Sequence, residues 1–270
     1  MLEKPIITLT TDFGLKDPFI GIIKGILFGI NPKAKIIDIS HGITPHNIFE
    51  ASQVISMSYR YFPPATIHIV VVDPQVGGPR RPLLVVTEDH YFIGPDNGVF
   101  SCIYEEHSSS SFFKVIHLTA SHHFLPHEGN TFHGRDIFAP VAGWLSKGLN
   151  VNKFGEKIND YVTLSMPKPI AYGETAIEGE VIHIDNFGNA MTNITKDNLD
   201  KLNPGFSEKK FMITYKDRKL VLSNYYAEAV NSGLSSIINS FGLLELFIYK
   251  GRASDKFSIK TGDKISVKVM

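Results

Sequence analysis

The sequence predicts an α/β protein with two domains: a doubly wound domain with a mostly parallel sheet, then a small β-barrel or β-sandwich. Strand-like apolar runs alternate with helix-like segments over residues 1–165. These strands are apolar throughout, which is typical of strands covered on both faces of a sheet. From residue 174 onward, short alternating runs between turn residues replace this pattern and favour an all-β domain.

The first predicted domain, residues 1–165, has strands and helices in regular succession. The predicted strands are 5–13, 34–40, 66–73, 82–88 and 90–95. The predicted helices are 18–30, 47–62, 98–106 and 137–148. Pro18 suits a first helical turn, and Pro63 with Pro64 ends the second helix. The order of these elements predicts the doubly wound arrangement.

A change of composition marks the boundary between the predicted domains. The stretch SMPKPIAYGE (165–174) contains two prolines and a glycine, and we interpret residues 166–173 as a linker. Residues 174–270 form the second predicted domain. Strand signals with turn residues between them occur at 176–188, 209–222, 243–251 and 263–270.

The charge and cysteine content exclude several classes of partner. Lysine plus arginine and aspartate plus glutamate each number 27, so the formal net charge is zero. That balance argues against nucleic acid or an anionic membrane as a partner. The single cysteine, Cys102, permits no intrachain disulfide and suits a reducing compartment. Because the N-terminus resembles neither a signal peptide nor a membrane span, we expect a cytoplasmic protein.

Polar residues follow three of the predicted strands, where open α/β sheets bind ligands. They are Thr11, Asp12 and Asp17 after the first strand, His41, Thr44 and His46 after the second, and Asp73 after the third. Each of them alone is also explained as a turn residue or a helix cap. Together, at one edge of the sheet, they predict a shared pocket.

Two further polar clusters admit a structural and a functional interpretation. In FHGRDIFAP (132–140), His133 lies beside a glycine that leaves room for a ligand, although a lone histidine is more often structural. In HIDNFGNAMTN (183–193), a tight hairpin explains the glycine and one asparagine. The same Asp and Asn residues beside Phe187 would also suit a flat, polar heterocycle.

The common cofactor and metal motifs are missing from the sequence. There is no GxGxxG after the first strand, no GxxxxGK[ST], no HExxH and no paired CxxC. The histidine-rich stretch SHHFLPH (121–127) matches no standard metal-site spacing. We therefore predict neither a cofactor nor a metal.

Seven stretches together resemble the S-adenosyl-L-methionine hydroxide adenosyltransferases, which are relatives of the fluorinases and chlorinases. They run in the family's order and cover nearly the whole chain. The stretches are LTTDFGLKD (9–17), DISHGITPHNI (38–48), YFPPATIHIVVVDPQVG (61–77) with RRP (80–82), FIGPDNGVFS (92–101), TFHGRDIFAPVA (131–142), IDNFGNAMTNI (184–194) and NSFGLLELFIYKGRAS (239–254).

The resemblance implies the reaction and the fold. It implies an N-terminal α/β domain, a C-terminal β-barrel, and a homotrimer that binds the nucleoside between the N-domain of one subunit and the C-domain of its neighbour. The expected reaction is hydrolysis of S-adenosyl-L-methionine to adenosine and L-methionine, without a cofactor. The family's catalytic triad matches Asp73, Arg80 and His133. The alternative is that Asp73 and Arg80 form only a structural ion pair that clamps the turn.

The resemblance also implies which residues hold the substrate. Asp12 matches the ribose-binding residue, Asp17 and Asp185 the sites for the methionine ammonium, Asn189 an adenine contact, Phe187 an aromatic wall and Ser240 a contact to the methionine carboxylate. His46, which follows the second strand, is a further substrate-binding candidate.

Two positions depart from the family's pattern. Gln75 stands where the family usually has glycine, so we expect the turn to avoid positive φ there. Phe241 stands where the fluorinases have an arginine, which the hydrolytic members generally lack. Phe241 therefore favours a hydrolase.

Three other functions remain as alternatives. A halogenase would need a halide where the water would be, close to the Asp73 carboxylate. A protein that binds adenosine or S-adenosyl-L-methionine without turnover would be expected to lack the triad, which is intact here. A metal-dependent hydrolase would use the histidine-rich region at 117–133.

Overall fold

The computed structural model describes residues 4–126, 129–203 and 211–270. The chain divides into two compact units, Met1–Met166 and Pro167–Met270. Each unit has its own sheet and its own apolar core. Within the described ranges, no helix has the length and hydrophobicity needed to cross a membrane.

The first unit alternates strands with helices, as its apolar periodicity predicts. Its elements are β1 (Ile6–Thr11), α1 (Phe19–Ile30), β2 (Lys35–Ser40), α2 (Ile48–Ser58), β3 (Thr66–Val71), β4 (Pro82–Val86), β5 (His90–Pro95), α3 (Ser101–His107), β6 (Lys114–Leu118), α4 (Ala139–Ser146) and β7 (Gly155–Ile158). A single π-helical turn at Gly134–Phe138 leads directly into α4. The predicted strands and helices of this unit are therefore observed, with shifts at their ends.

The sheet of the first unit is mixed and rich in parallel pairs. Its order is β2-β1-β3-β5-β4-β6-β7. The strands β2, β1, β3 and β5 are parallel, whereas β4, β6 and β7 pair in antiparallel fashion. The expectation of a mostly parallel sheet thus holds for four strands only. The reason is that residues 87–89 alone connect β4 to β5, and parallel neighbours need a much longer crossover.

Both faces of this sheet are covered by apolar side chains. In β3, Ile69 belongs to a cluster that includes residues of α1 and α4, whereas Val70 belongs to a cluster that includes residues of α2 and α3. Successive strand residues point to opposite faces, so continuous apolar strands supply two cores at once. Each fully buried aliphatic side chain contributes about 1.5–3 kcal/mol. The faces are therefore closed, and the sheet edge where the strands end remains for polar groups.

The carboxyl ends of the four parallel strands meet at one edge. The register pairs Thr11 of β1 with Val71 of β3, so the residues that follow these strands come at the same level. Asp12 follows β1 and Asp73 follows β3 by two residues. His41 directly follows β2. The topology therefore brings the residues that follow these three strands to one edge of the sheet.

The second unit is built around a nearly barrel-shaped sheet. The elements are β8 (Ile170–Tyr172), β9 (Ala176–Ile184), β10 (Ala190–Thr195), α5 (Lys196–Leu202), β11 (Phe211–Tyr215), β12 (Arg218–Leu220), β13 (Leu222–Ser223), β14 (Leu234–Ile238), β15 (Leu243–Ile248), α6 (Ala253–Phe257) and β16 (Lys264–Val269). The order of the strands in the sheet is β12-β11-β16-β9-β10-β15-β14-β13, with β8 paired to β9. The strand β8 lies inside the segment interpreted as a linker. Residues 209 and 210 of the predicted strand 209–222 lie outside the described residues.

The long strand β9 explains how this sheet curves. Its first half pairs with β16 and its second half pairs with β10, so one strand connects two differently oriented parts of the sheet. Gly179 lies where the two halves meet. A Cβ at this position would approach Asn193 Oδ1 to 2.3 Å and Ile194 Cγ1 to 2.5 Å. Glycine is favoured here because the side chains of Asn193 and Ile194 on β10 fill the space that a Cβ would need.

A buried histidine in β3 makes the stability of the first unit sensitive to acid. The Nδ1 atom of His68 lies 2.7 Å from Thr8 Oγ1, and its ring stacks on Phe92 with 5.1 Å between ring centroids. Burial, together with the neighbouring His90, lowers the pKa of His68 to about 3. The ring is therefore neutral in the folded protein over the ordinary range of pH.

Acidification is expected to destabilise the protein through this residue. In the unfolded chain His68 binds a proton near its ordinary pKa of 6.5, whereas the folded form binds one only near pH 3. The contribution of neutral His68 to the free energy of unfolding is complete above the pKa of the unfolded chain. It is lost progressively as the pH falls toward the pKa of the folded form, and the loss is about 2 kcal/mol at about pH 5. Urea unfolding at several pH values measures this slope. The variant His68→Phe should show a smaller dependence of the unfolding free energy on pH. The control His122→Gln, at an exposed histidine, should keep the wild-type dependence. An equal dependence in all three proteins would contradict the assignment.

Candidate active site

A buried ion pair occupies the loop between β3 and β4. Arg80 Nε donates to Asp73 Oδ1 at 3.0 Å, and Arg80 Nη2 donates to Asp73 Oδ2. The side chains are only 4% exposed for Asp73 and 2% exposed for Arg80. Two parallel hydrogen bonds between a guanidinium and a carboxylate fix both groups in one geometry. Asp73 and Arg80, seven residues apart, thus hold a carboxylate and a guanidinium together out of solvent.

His133 joins this pair from a distant part of the chain. It directly precedes the π-helical turn Gly134–Phe138, a form of helix that often occurs at functional sites. Its Nδ1 atom lies 2.7 Å from Arg80 Nη2. Because a guanidinium can only donate, Nδ1 must accept, and the neutral ring then carries its proton on Nε2. Asp73, Arg80 and His133 thus form one connected cluster, which we call the triad.

One hydrogen-bond donor of the triad is left without a protein acceptor. Arg80 Nη1 is buried and has no hydrogen-bond partner among the described residues. The guanidinium carbon lies 5.7 Å from the centroid of the Phe138 ring, so an aromatic face borders the group. A buried N–H without an acceptor is costly and calls for an explanation. An oxygen atom held against Nη1 would remove this cost.

The turn after Asp73 is shaped by glycine at Gly77. Its φ is +77°, and a Cβ there would lie 2.5 Å from the carbonyl oxygen of Asn130. Only glycine meets both conditions. Gln75 is not among the residues with positive φ, as expected from its side chain. The substitution of glycine by Gln75 therefore leaves the turn without strain at that residue.

A second polar contact lies at the ends of β1 and β2. Asp12 Oδ2 accepts a hydrogen bond of 2.9 Å from the backbone N–H of His46. His46 has a φ of +68°, which is unusual for a residue other than glycine, and its side chain is exposed. The contact to Asp12 thus uses the backbone of His46. Asp17 is exposed in the turn that precedes α1.

The second unit contains a cavity of about 640 Å³. Four residues predicted to bind substrate line it: Asp185, Phe187, Asn189 and Ser240. Further lining residues are Asn186, Met191, Tyr226, Asn239, Phe241, Glu245, Ile248, Tyr249, Lys250, Gly251 and Arg252. A cavity of this size is large enough for a small organic molecule.

Asp185 organises one wall of this cavity. Its Oδ1 accepts from the backbone N–H groups of Phe187 at 2.9 Å and of Asn189 at 2.8 Å, and its Oδ2 accepts from Asn189 Nδ2 at 3.2 Å. The phenyl ring of Phe187 is 73% exposed, whereas Asn189 is buried. The hairpin therefore presents an open aromatic face beside a carboxylate and an amide held in place by hydrogen bonds. This arrangement fits both interpretations of the hairpin, structural and functional.

Several residues at these places were not identified from the sequence. The Nδ2 atom of Asn97 donates to the carbonyl oxygen of Val72 at 2.9 Å, directly before Asp73. Asn97 lies in the stretch FIGPDNGVFS (92–101), for which no individual site residue was predicted. Tyr226 and Glu245 line the cavity without any local signal. Their place depends on strands that are distant in sequence.

The described residues show no group of three or more histidine, cysteine, aspartate or glutamate side chains suited to a metal. His127, which belongs to the histidine-rich stretch, lies outside the described residues.

Comparison with protein families accounts for nearly the whole chain. The family model of the SAM hydroxide adenosyltransferase N-terminal domain matches residues 7–155, and that of the C-terminal domain matches residues 179–266. A relative from Methanocaldococcus jannaschii, named (R)-S-adenosyl-L-methionine hydrolase, is 34% identical, with 97% of this chain and 95% of the relative covered. A fluorinase from Actinoplanes sp. is 25% identical, with 97% of each chain covered.

A solved structure has the same fold over nearly its full length. The crystal structure of an uncharacterized conserved protein from Thermotoga maritima superposes with a TM-score of 0.88 at 36% identity. The match covers 97% of this chain and 99% of that one. The matches to both family domains, together with the full-length identity to the hydrolase, show that this chain belongs to the SAM hydroxide adenosyltransferase family.

Proposed function

We propose that this protein hydrolyses S-adenosyl-L-methionine to adenosine and L-methionine, with water attacking C5′ of the substrate. The observation that carries the proposal is the buried triad of Asp73, Arg80 and His133, in which Arg80 has one donor to spare. The names of the relatives from Methanocaldococcus jannaschii and Salinispora arenicola, both (R)-S-adenosyl-L-methionine hydrolase, support it.

The chemistry needs an activated water and little else. The C5′–S bond breaks, its electrons return to sulfur, and methionine leaves as a neutral thioether. The oxygen of water forms a bond to C5′ and loses one proton. Water is a weak nucleophile with a pKa of about 15.7, so positioning and removal of that proton supply the rate. No covalent intermediate or cofactor enters this scheme.

The hydrogen-bond pattern assigns different tasks to the three residues. Arg80 cannot be the base, because its guanidinium stays protonated in proteins. Its Nη1 donor can hold the oxygen and stabilise the developing hydroxide charge. Nδ1 of His133 accepts from Arg80, so the neutral ring has no second acceptor. Asp73 accepts two hydrogen bonds and retains further lone pairs, so we assign proton acceptance to Asp73 and orientation of Arg80 to His133.

The same pattern favours water over a halide. A water molecule can accept from Arg80 and donate to Asp73 at the same time, whereas a halide can only accept. A halide beside Asp73 would also be repelled, by about 1 kcal/mol at about 4 Å in water and by more in a drier site. By the family resemblance, Phe241 stands where the fluorinases have an arginine. We therefore place the halogenase function second.

The two units are proposed to act as the two domains implied by the family resemblance. Residues 1–165 would form the doubly wound domain with the triad and the ribose site, and 174–270 the barrel domain with the adenine and methionine contacts, joined by the linker 166–173. Asp12 would hold the ribose hydroxyls, with His46 beside it. Asp17 and Asp185 would receive the ammonium. Asn189 would contact the adenine, Phe187 would form an aromatic wall, and Ser240 would contact the methionine carboxylate.

We further propose a cytoplasmic homotrimer in which each site combines the N-domain of one subunit with the C-domain of its neighbour. The division of the candidate ligand groups between two units supports this arrangement, because a complete site needs both sets. Light scattering at micromolar concentration should give three times the mass of the chain. A monomer that binds the nucleoside with full affinity would contradict the composite site.

Turnover without a metal is the direct test of the proposed reaction. Purified protein incubated with S-adenosyl-L-methionine in chelator-treated, halide-free buffer is expected to release adenosine and methionine in equal amounts, measured by chromatography. Chloride or fluoride should leave the product unchanged. Activity that disappears with EDTA and returns with a divalent ion would favour the metal-dependent alternative, and a halogenated nucleoside would favour the halogenase.

A further inference from the structure

A buried carboxylate lies in the wall of the cavity in the second unit, and the proposed reaction does not use it. Glu245 is in the middle of β15 and is only 1% exposed, yet it lines the cavity. Its strand neighbours Leu244 and Leu246 belong to the apolar core, as the alternation of a strand requires. Burial of a carboxylate is costly unless its oxygens accept hydrogen bonds. The hydrogen-bond partners of Glu245 therefore indicate its role.

Both oxygens of Glu245 accept hydrogen bonds from side chains that also line the cavity. Tyr226 Oη donates to Oε1 at 2.9 Å, and Asn239 Nδ2 donates to Oε2 at 2.9 Å. Burial raises the pKa of the Glu245 carboxyl above its ordinary value, and these two hydrogen bonds only partly offset the rise. The two donors come from different segments of the chain. One carboxylate thus connects two separate parts of the cavity wall.

The first of these parts is the turn that carries Ser240 and Phe241. The Oδ1 atom of Asn239 accepts from the backbone N–H groups of Phe241 at 3.0 Å and of Leu243 at 3.1 Å. The side-chain oxygen of Asn239 therefore accepts from the turn, and its NH₂ group donates to Glu245. Backbone hydrogen bonds of Asn239 with Gly242 and with Leu243, both 2.9 Å, also close this turn. The Asn239 side chain adds the link from the turn to Glu245.

The second part is the ring of Tyr226. It contacts Phe247 edge to face, with 4.9 Å between ring centroids, and it borders the cavity. The hydrogen bond from the Tyr226 hydroxyl to Glu245 fixes the position of the tyrosine ring against Phe247. Phe247 is fully buried, so it is a rigid support for the ring.

We infer that Glu245 is a positioning residue for substrate binding, which holds the Tyr226 ring and the 239–242 turn in the arrangement that receives a nucleoside with an amino-acid tail. The inference rests on the proposed function, since it concerns the binding of that substrate. Glu245 acts through Tyr226 and Asn239 and touches no reacting atom. Its removal should therefore change KM and leave kcat nearly unchanged.

A reversal of donor and acceptor tests this role. In Glu245→Gln an NH₂ group replaces one of the two acceptor oxygens, so the side chain can no longer accept from both Tyr226 and Asn239. We expect KM for S-adenosyl-L-methionine to rise about tenfold and kcat to stay within about twofold. Adding Asn239→Asp provides an acceptor for the new amide and keeps the acceptor for the turn. This double variant is expected to return KM to within about threefold of the wild type.

Two further variants complete the design. Tyr226→Phe removes a single hydroxyl and should raise KM about three- to tenfold without loss of folding. Glu228→Gln is the control, because Glu228 is an exposed carboxylate in the same short segment as Tyr226. It should leave both constants unchanged. Urea unfolding of each variant verifies that the fold is retained, and Tyr226→Phe provides the test if Glu245→Gln does not fold.

The outcomes separate this inference from the function on which it rests. A wild-type protein that releases no adenosine would overturn the proposed function and this inference with it. An active wild type whose KM is unaffected by Glu245→Gln or by Tyr226→Phe would overturn the inference alone. A rise in KM that Asn239→Asp fails to reverse would also overturn it, because the effect would then not pass through the hydrogen bond to Asn239.

Discussion

Asp73→Asn is expected to lower kcat for adenosine release by about 10²–10⁴-fold, while the affinity for adenosine stays within about tenfold. Asparagine has nearly the shape of aspartate but cannot take the proton from water. The loss therefore falls on the transition state. Chromatographic assay of adenosine gives kcat, and calorimetry gives the affinity for adenosine.

The stability of this variant must be measured with its activity. Arg80 is almost fully buried, and removal of its partner charge is expected to cost about 3–5 kcal/mol. Asp160→Asn is the matched control, because it also removes an arginine's carboxylate partner, from Arg81, but at a side chain that is 80% exposed. It should leave kcat unchanged and alter stability little. A folded Asp73→Asn protein with the wild-type rate would leave the pair as a structural clamp of the turn.

Arg80→Lys is expected to lower kcat/KM by about 10²–10³-fold although the positive charge is retained. The planar guanidinium of Arg80 donates twice to Asp73 and once to Nδ1 of His133, and it keeps a further donor for the oxygen of the attacking water. A lysine ammonium cannot make all of these contacts at once in one plane. The variant thus tests whether the positive charge at position 80 is enough or whether the planar arrangement of the guanidinium donors is also needed. Steady-state kinetics of adenosine release measure the effect.

Arg60→Lys is the control for this substitution. Arg60 forms an ion pair with Glu106 at the surface, where its side chain is 54% exposed. This variant should keep the wild-type kcat/KM. If Arg80→Lys also kept it, the charge alone would suffice, and the unsatisfied Nη1 donor would have no role in holding the oxygen.

Local sequence signals predicted the secondary structure of the first unit well. The helix expected at 18–30 is α1 (Phe19–Ile30), because its apolar spacing and Pro18 are local features. Strand direction was harder to predict. The strand β4 pairs in antiparallel fashion with β5 and β6, which its apolar composition does not reveal. Composition reports that a strand is buried on both faces but not which neighbour it meets.

The candidate site shows the same division. Asp12 and Asp73 were predictable, since polar residues after apolar strands mark the sheet edge where ligands bind. The close approach of Gly77 to Asn130 was not predictable, because it brings together segments that are distant in sequence. Glu245 gave no signal, because a single polar residue in an alternating strand is ordinarily solvent-exposed. The structure instead buries it between two donors.

The order of residues along the chain already specified the elements, the polar edge of the first sheet and, through the family resemblance, the expected reaction. The contact between Arg80 and His133, which are 53 positions apart, and the burial of Arg80 Nη1 with no partner in the described part of the chain arise only from the folded chain. Periodicity and turn preferences act over a few neighbouring residues, so they are readable locally. Burial and hydrogen-bond satisfaction depend on which distant segments exclude water together, and long-range packing alone decides that.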